Sequence, residues 1–119
     1  MFLGLRSVIY PSSDLQADKA SWTAILGAEP YFDQPFYVGF NVGGYELGLD
    51  PNASAEGNGQ PITYWGVTDI GASVTGLAAS GAIQRGGTSD VGGGIKMAVF
   101  TTPSGAVFGV IENPAFKAA

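Results

Sequence analysis

The sequence predicts an α+β protein built from two βαβββ modules in tandem, and three observations carry that prediction. At 119 residues the chain is one ordinary domain, or two small halves that share a core. Nineteen glycines and seven prolines cut it into many short elements separated by turns. The same order of strand and helix signals then runs twice, once on each side of a turn-rich segment. Hydrophobic residues make up 45% and charged residues 13%, which is the balance of a globular chain and not of a disordered or coiled-coil one.

In order, residues 2–10, FLGLRSVIY, are apolar and β-branched enough for a strand, and Pro11 ends it. Ser13 and Gln16 stand in the capping-box spacing and predict a helix start. Leu15, Trp22, Ile25 and Leu26 are expected on one helical face, with Trp22 in the core, and Gly27 and Pro30 stop the helix. Strands follow near 31–34, 36–42 and 45–49, with Gly43-Gly44 as a tight hairpin turn. Residues 50–61, DPNASAEGNGQP, lack apolar periodicity and read as a linker. The plan then repeats. Ile62 to Val67 is a strand, Asp69 caps a helix with Ile70, Val74 and Leu77 on one face, and Gly81 ends it. Strands near 82–86, 94–101 and 106–112 complete the second module, the last two joined at Pro103-Ser104-Gly105. The boundaries are module one at about 1–51, a linker at about 52–61 and module two at about 62–119.

Composition removes whole classes of function. Five Lys+Arg against ten Asp+Glu give a net charge of −5, so the basic footprint of a nucleic-acid or anionic-membrane binder is missing. The chain has no cysteine, hence no disulfide and no thiolate nucleophile. It also has no histidine, which removes imidazole triads, proton shuttles and the commonest transition-metal ligand. No run approaches the roughly 18 apolar residues of a membrane span. The segment Met1–Arg6 lacks the basic start of a signal peptide, so a soluble cytoplasmic protein is expected.

Three phrases, YPSSDLQADKASWTAILGAEP, VTDIGASVTGLAASGA and DVGGGIKMAVFTTPSGAVFGVIENP, together resemble the vicinal oxygen chelate superfamily. That superfamily includes glyoxalase I, extradiol dioxygenases and bleomycin-resistance proteins. The resemblance spans nearly the whole chain, and Thr102-Pro103-Ser104-Gly105 stands where the family's final hairpin commonly has Asp-Pro-Asp-Gly. It implies a mixed sheet curled around a cleft, usually in a homodimer. In metal-dependent members, each module's first and last strands supply ligands to a divalent ion. The matching positions here are Ser7, Gly48, Thr63 and Gly109. Two glycines offer no side chain, and neutral hydroxyls are poor ligands, so neither a family-type metal nor another cofactor is expected. Glu46, two residues from Gly48, is the single carboxylate on that strand face and the candidate acid–base group. Glu112 points to the opposite face.

With glycines at two ligand positions, the cleft is expected to be roomy and weakly polar. Strand alternation from Ser7 and Thr63 adds Leu5, Ile9 and Trp65 to its wall, and Val107 and Ile111 join Gly109. Trp65 is the expected stacking platform, while the faces of Tyr31, Tyr37 and Phe40 stay open. Arg6, by parity opposite Ser7, is expected on the surface or helix side. Gly92-Gly93-Gly94 lacks the Lys-Ser/Thr and helix of a phosphate loop and reads as a loop at the cleft rim, with Asp90 a turn residue beside it. The favoured reading is a metal-free protein holding an aromatic or apolar small molecule, as in drug sequestration, with the net charge of −5 favouring cationic over anionic ligands by steering. The alternatives are a glyoxalase-like lyase, isomerase or dioxygenase with a displaced metal site, and a dimeric scaffold with a vestigial cleft.

Overall fold

A computed structural model describes residues 2–53 and 57–116. Module one contains β1 (Gly4–Pro11), α1 (Leu15–Leu26), β2 (Phe32–Gln34), β3 (Tyr37–Val42) and β4 (Tyr45–Asp50). Module two contains β5 (Ile62–Gly66), α2 (Ile70–Ala79), β6 (Ile83–Gly92), β7 (Ile95–Thr101) and β8 (Val107–Glu112). The strands form one open eight-stranded sheet in the order β2-β3-β4-β1-β5-β8-β7-β6. Each module lays its last strand parallel to its first, and the antiparallel β1–β5 pair joins the modules at the centre. The α+β class and the tandem βαβββ plan are therefore as the sequence predicts.

The helices start where a short acid can satisfy the free N–H groups of the first turn. Asp14 caps α1 by accepting from Ala17 N–H at 3.1 Å, and Asp69 caps α2 by accepting from Ala72 N–H at 3.1 Å. The first cap is thus Asp14 and not Ser13, because the carboxylate also complements the positive end of the helix dipole. Gly27 closes α1 in the left-handed region at φ 67°, which an L side chain rarely adopts. Leu15, Trp22 and Leu26 pack inward from α1, but Ile25 is 67% exposed and does not belong to that face. From α2, Ile70, Val74 and Leu77 all pack inward.

Strand alternation divides the apolar residues between the two faces of the sheet. On one face, α1 covers Val38, Phe40 and Leu49, and α2 covers Ala98, Phe100 and Val110. On the other face, Ile9, Ile62, Tyr64, Val99 and Ile111 form a third cluster that bounds a cavity. Phe40 is accordingly a helix-side core residue and no part of the cleft. In the predicted linker, Ala53 and Gly57 are buried against this third cluster, while residues 54–56 lie outside the described residues. The β6 strand runs well beyond its predicted end at 86, accommodating the extra residues through register shifts between Arg85 and Ser89 and between Asp90 and Gly92. Gly92-Gly93-Gly94 is consequently a tight β6–β7 hairpin turn and not an open loop, with Asp90 Oδ1 accepting from Gly92 N–H at 3.0 Å. Among the described residues, no helix is long and apolar enough to cross a membrane.

Candidate functional site

The concave face encloses a cavity of about 630 Å³, within the size range of small-molecule sites. The register around β1 decides which sequence-nominated residues reach it. Ser7 lies opposite Tyr64 and Ile9 opposite Ile62, and all four line the cavity. A bulge interrupts the pairing between Leu5 and Ser7, so Leu5 falls opposite Trp65 on the helix-bearing face. Simple alternation therefore misplaces Leu5. It also misplaces Arg6, which the bulge turns across Gly66, where an added Cβ would sit 2.5 Å from Arg6 Nε.

Thr63 and Trp65 are not in the cavity wall. Their neighbours Ile62 and Tyr64 face it, and a pleated strand sends alternate residues to opposite sides. The two helix caps, Asp14 and Asp69, set the offset between the modules, and that offset maps Ser7 onto Ile62, one residue before Thr63. The registers agree, since Ile9 pairs with Gly48 in module one as Tyr64 pairs with Gly109 in module two. Trp65 instead stacks on Phe2 with ring centroids 5.8 Å apart, and Phe2 leans on Phe108 at 6.3 Å. That aromatic group belongs to the outer face and has no contact with the cavity.

Gly48 and Gly109 do face the concave side, but the room they leave is taken. A Cβ on Gly48 would collide with the Tyr37 hydroxyl, and a Cβ on Gly109 would collide with the Cδ1–Cε1 edge of the Tyr64 ring. The expectation of extra space at these two positions is thus corrected: each glycine is the notch into which a tyrosine settles. A third notch is Gly39, where a Cβ would lie 3.1 Å from Tyr31 Cε1 and 3.3 Å from Glu46 Oε2. Beyond Gly109, Ile111 lines the cavity and Val107 packs against the cluster that bounds it.

These notches assemble the polar end of the cavity. Glu46 lies opposite Ser7 in the β1–β4 ladder. One of its carboxylate oxygens accepts from the Tyr31 hydroxyl and the other from the Tyr37 hydroxyl. Burial, reinforced by the adjacent Glu46 carboxylate, pushes both phenols above the ordinary tyrosine range. At neutral pH both are therefore protonated donors. Tyr31 is 61% exposed and stands at the mouth, with Phe32 and Phe36 beside it. The described lining carries two acidic residues, Glu46 and Asp50, and no lysine or arginine.

Could these residues hold the divalent ion of the metal-dependent proteins that the sequence resembles? The cavity-facing counterparts of the ligand positions are Ser7, Gly48, Ile62 and Gly109. Both oxygens of Glu46 are already engaged by phenols. Among the described residues, no group of three or more Asp and Glu converges anywhere. Asp50, the other carboxylate of the lining, accepts from Asn52 N–H, and two such acids with one serine hydroxyl fall short of the six or more oxygens a hard cation wants, so the residues do not fit that group.

Sequence reasoning missed Tyr64 and left Tyr31 and Tyr37 without a face, although the strand glycines at 39, 48 and 109 mark where a neighbour approaches closely. Next to the main cavity, and sharing Ser7, Tyr31 and Glu46 with it, is a recess of about 260 Å³ that also contains Arg6, Asn41 and Phe116.

No protein-family model and no curated protein sequence matches the chain. Solved structures do. A variant of Streptomyces coelicolor methylmalonyl-CoA epimerase, in complex with 2-nitronate-propionyl-CoA, superposes with a TM-score of 0.75 at 13% identity, covering 97% of this chain and 100% of that one. A glyoxalase/bleomycin resistance protein/dioxygenase superfamily member from Vibrio splendidus gives a TM-score of 0.67 at 18% identity, covering 92% and 99%. A hypothetical protein from Bacillus halodurans gives 0.73 at 11% identity, covering 97% of each chain. At these identities the likeness is one of fold, and the fold is that of the vicinal oxygen chelate proteins.

Proposed function

We propose that this chain is a metal-independent small-molecule-binding protein, whose cavity takes an aromatic or apolar ligand bearing a cationic group. The observation that carries this reading is the Tyr31–Glu46–Tyr37 cluster at the end of an apolar cavity with no basic lining residue among those described. A cation entering there meets a carboxylate already fixed by two donors and can lie against the faces of Tyr31, Phe32 and Phe36. The apolar wall of Ile9, Ile62, Val99 and Ile111 would cover the body of the ligand. Occupation of both Glu46 oxygens favours binding over turnover, because a general base would first have to give up a phenol.

The test is a thermal-shift comparison of aromatic amines with their neutral and anionic isosteres, with and without chelator. A compound present at 100 times its Kd adds about 2.7 kcal/mol, which raises Tm by roughly 10 °C for a domain of this size. Amines are expected to give such shifts, unchanged by chelator and lost in Glu46→Gln. If no amine raised Tm, or if Glu46→Gln left the shifts intact, the proposal would fail.

A further inference from the structure

Arg6 is placed in an unusual setting. The bulge in β1 turns it to the concave side, where it lines the smaller recess together with Glu46. Its guanidinium lies over the Phe116 ring at 4.0 Å from the centroid, and Nη1 donates to the Leu5 carbonyl at 3.4 Å. These contacts hold the group in place without neutralising it. Among the described residues the only ion pair is Lys19–Asp33, so Arg6 meets no carboxylate, not even that of Glu46 in the same recess. A half-buried guanidinium with donors to spare is a ready partner for a planar anion. Asn41 and Asn113 add amide groups to the same recess.

We infer that the recess is a head-group subsite for a zwitterion, a ligand carrying both an amine and a carboxylate on an aromatic or apolar body. The amine goes to Glu46 and the carboxylate to Arg6. The recess of about 260 Å³ has room for such a head group, and its shared wall with the main cavity lets the body extend onto the apolar cluster. This inference rests on the binding role proposed above and narrows it: a simple amine satisfies Glu46 alone, while an amphoteric compound also supplies an anion, which Arg6 meets in none of the described residues.

The experiment is calorimetric titration with three probes of one shape: free L-tryptophan, tryptamine, which lacks the carboxylate, and indolepropionate, which lacks the amine. In the unaltered protein, tryptophan is expected to bind at least about tenfold more tightly than either of the others, the scale of one charge-assisted contact. Arg6→Gln should erase the advantage of tryptophan over tryptamine while tryptamine binds as before, and Arg6→Lys, which keeps the charge, should retain part of it. Glu46→Gln should weaken tryptophan and tryptamine and spare indolepropionate. Circular-dichroism melting of each variant checks that it folds. If tryptamine bound as tightly as tryptophan, or if Arg6→Gln left their ratio unchanged, the subsite would be refuted while the broader binding role stood. If none of the three bound, both would fall.

Discussion

Replacing Gly109 by alanine adds one methyl group at the point where β8 passes beneath Tyr64. The new Cβ would press on the Cδ1–Cε1 edge of the Tyr64 ring, well inside van der Waals contact, and lie 3.0 Å from Cγ. The ring is 5% exposed and packed among Ile9, Ile62, Val99 and Ile111, so it can escape only by moving towards the cavity. Overpacking of this kind costs about 1–3 kcal/mol. Against it stands a gain of about 0.4–1 kcal/mol from the stiffer unfolded chain, available because Gly109 does not have a positive φ. The clash is the larger effect, and the net expectation is a loss of about 1–2 kcal/mol. Urea denaturation followed by far-UV circular dichroism measures it, with an unchanged m-value as the sign that only stability moved. In a Tyr64→Leu background the same substitution should cost nothing or stabilise slightly, since the ring it strikes is gone. If Gly109→Ala were neutral or stabilising with Tyr64 intact, the notch argument would be wrong, and with it the account of why the cavity lacks the room the glycines suggest.

Two further outcomes follow from the same geometry. Tyr31 and Tyr37 are held above the ordinary phenol range, chiefly by burial, so the folded protein keeps protons that the unfolded chain loses above about pH 10. Stability should therefore be insensitive to these groups below that pH and fall above it, by up to about 1.4 kcal/mol per pH unit for the more deeply buried Tyr37. Tyr37→Phe should flatten that fall, and an unchanged alkaline slope would count against the buried-phenol description. Both tryptophans pack on the helix-bearing face, Trp22 against Tyr10 and Trp65 against Phe2. Trp65→Phe should accordingly cost about 1 kcal/mol of stability while leaving ligand affinity within about twofold. Strong, saturable quenching of Trp65 emission by a bound ligand would instead put Trp65 in the cavity wall.

Much of this architecture was legible without coordinates because it rests on local chemistry. Asp69, Gly27 and Gly43-Gly44 act within a few residues of themselves, as caps and turns do, and the repeated order of elements exposed the tandem modules. Composition alone removed histidine and cysteine chemistry, the resemblance grouped Ser7, Gly48 and Gly109 with Thr63, and strand parity with Gly48 added Glu46. The bulge beside Ser7 could not be read this way, because a bulge depends on what the partner strand does, and one extra residue reverses every face assignment beyond it. Leu5 and Arg6 were misassigned for that reason. Thr63 and Trp65 fell to a one-residue error in the offset between modules, which alternation converts into the wrong side of a sheet.

The tyrosine notches lay further out of reach. Sequence shows glycines at 39, 48 and 109 as absences of side chains, and an absence reads as space. Only the ladder brings Tyr37 over Gly48 and Tyr64 over Gly109, turning that space into packing. It likewise sets Tyr31 and Tyr37 on either side of one carboxylate. What the sequence by itself determined is what neighbours along the chain decide: element type, caps, turns, the repeat and the chemistries that are missing. Which side chain fills which gap across strands was decided by tertiary register alone, since a contact between residues distant in sequence has no periodicity to announce it.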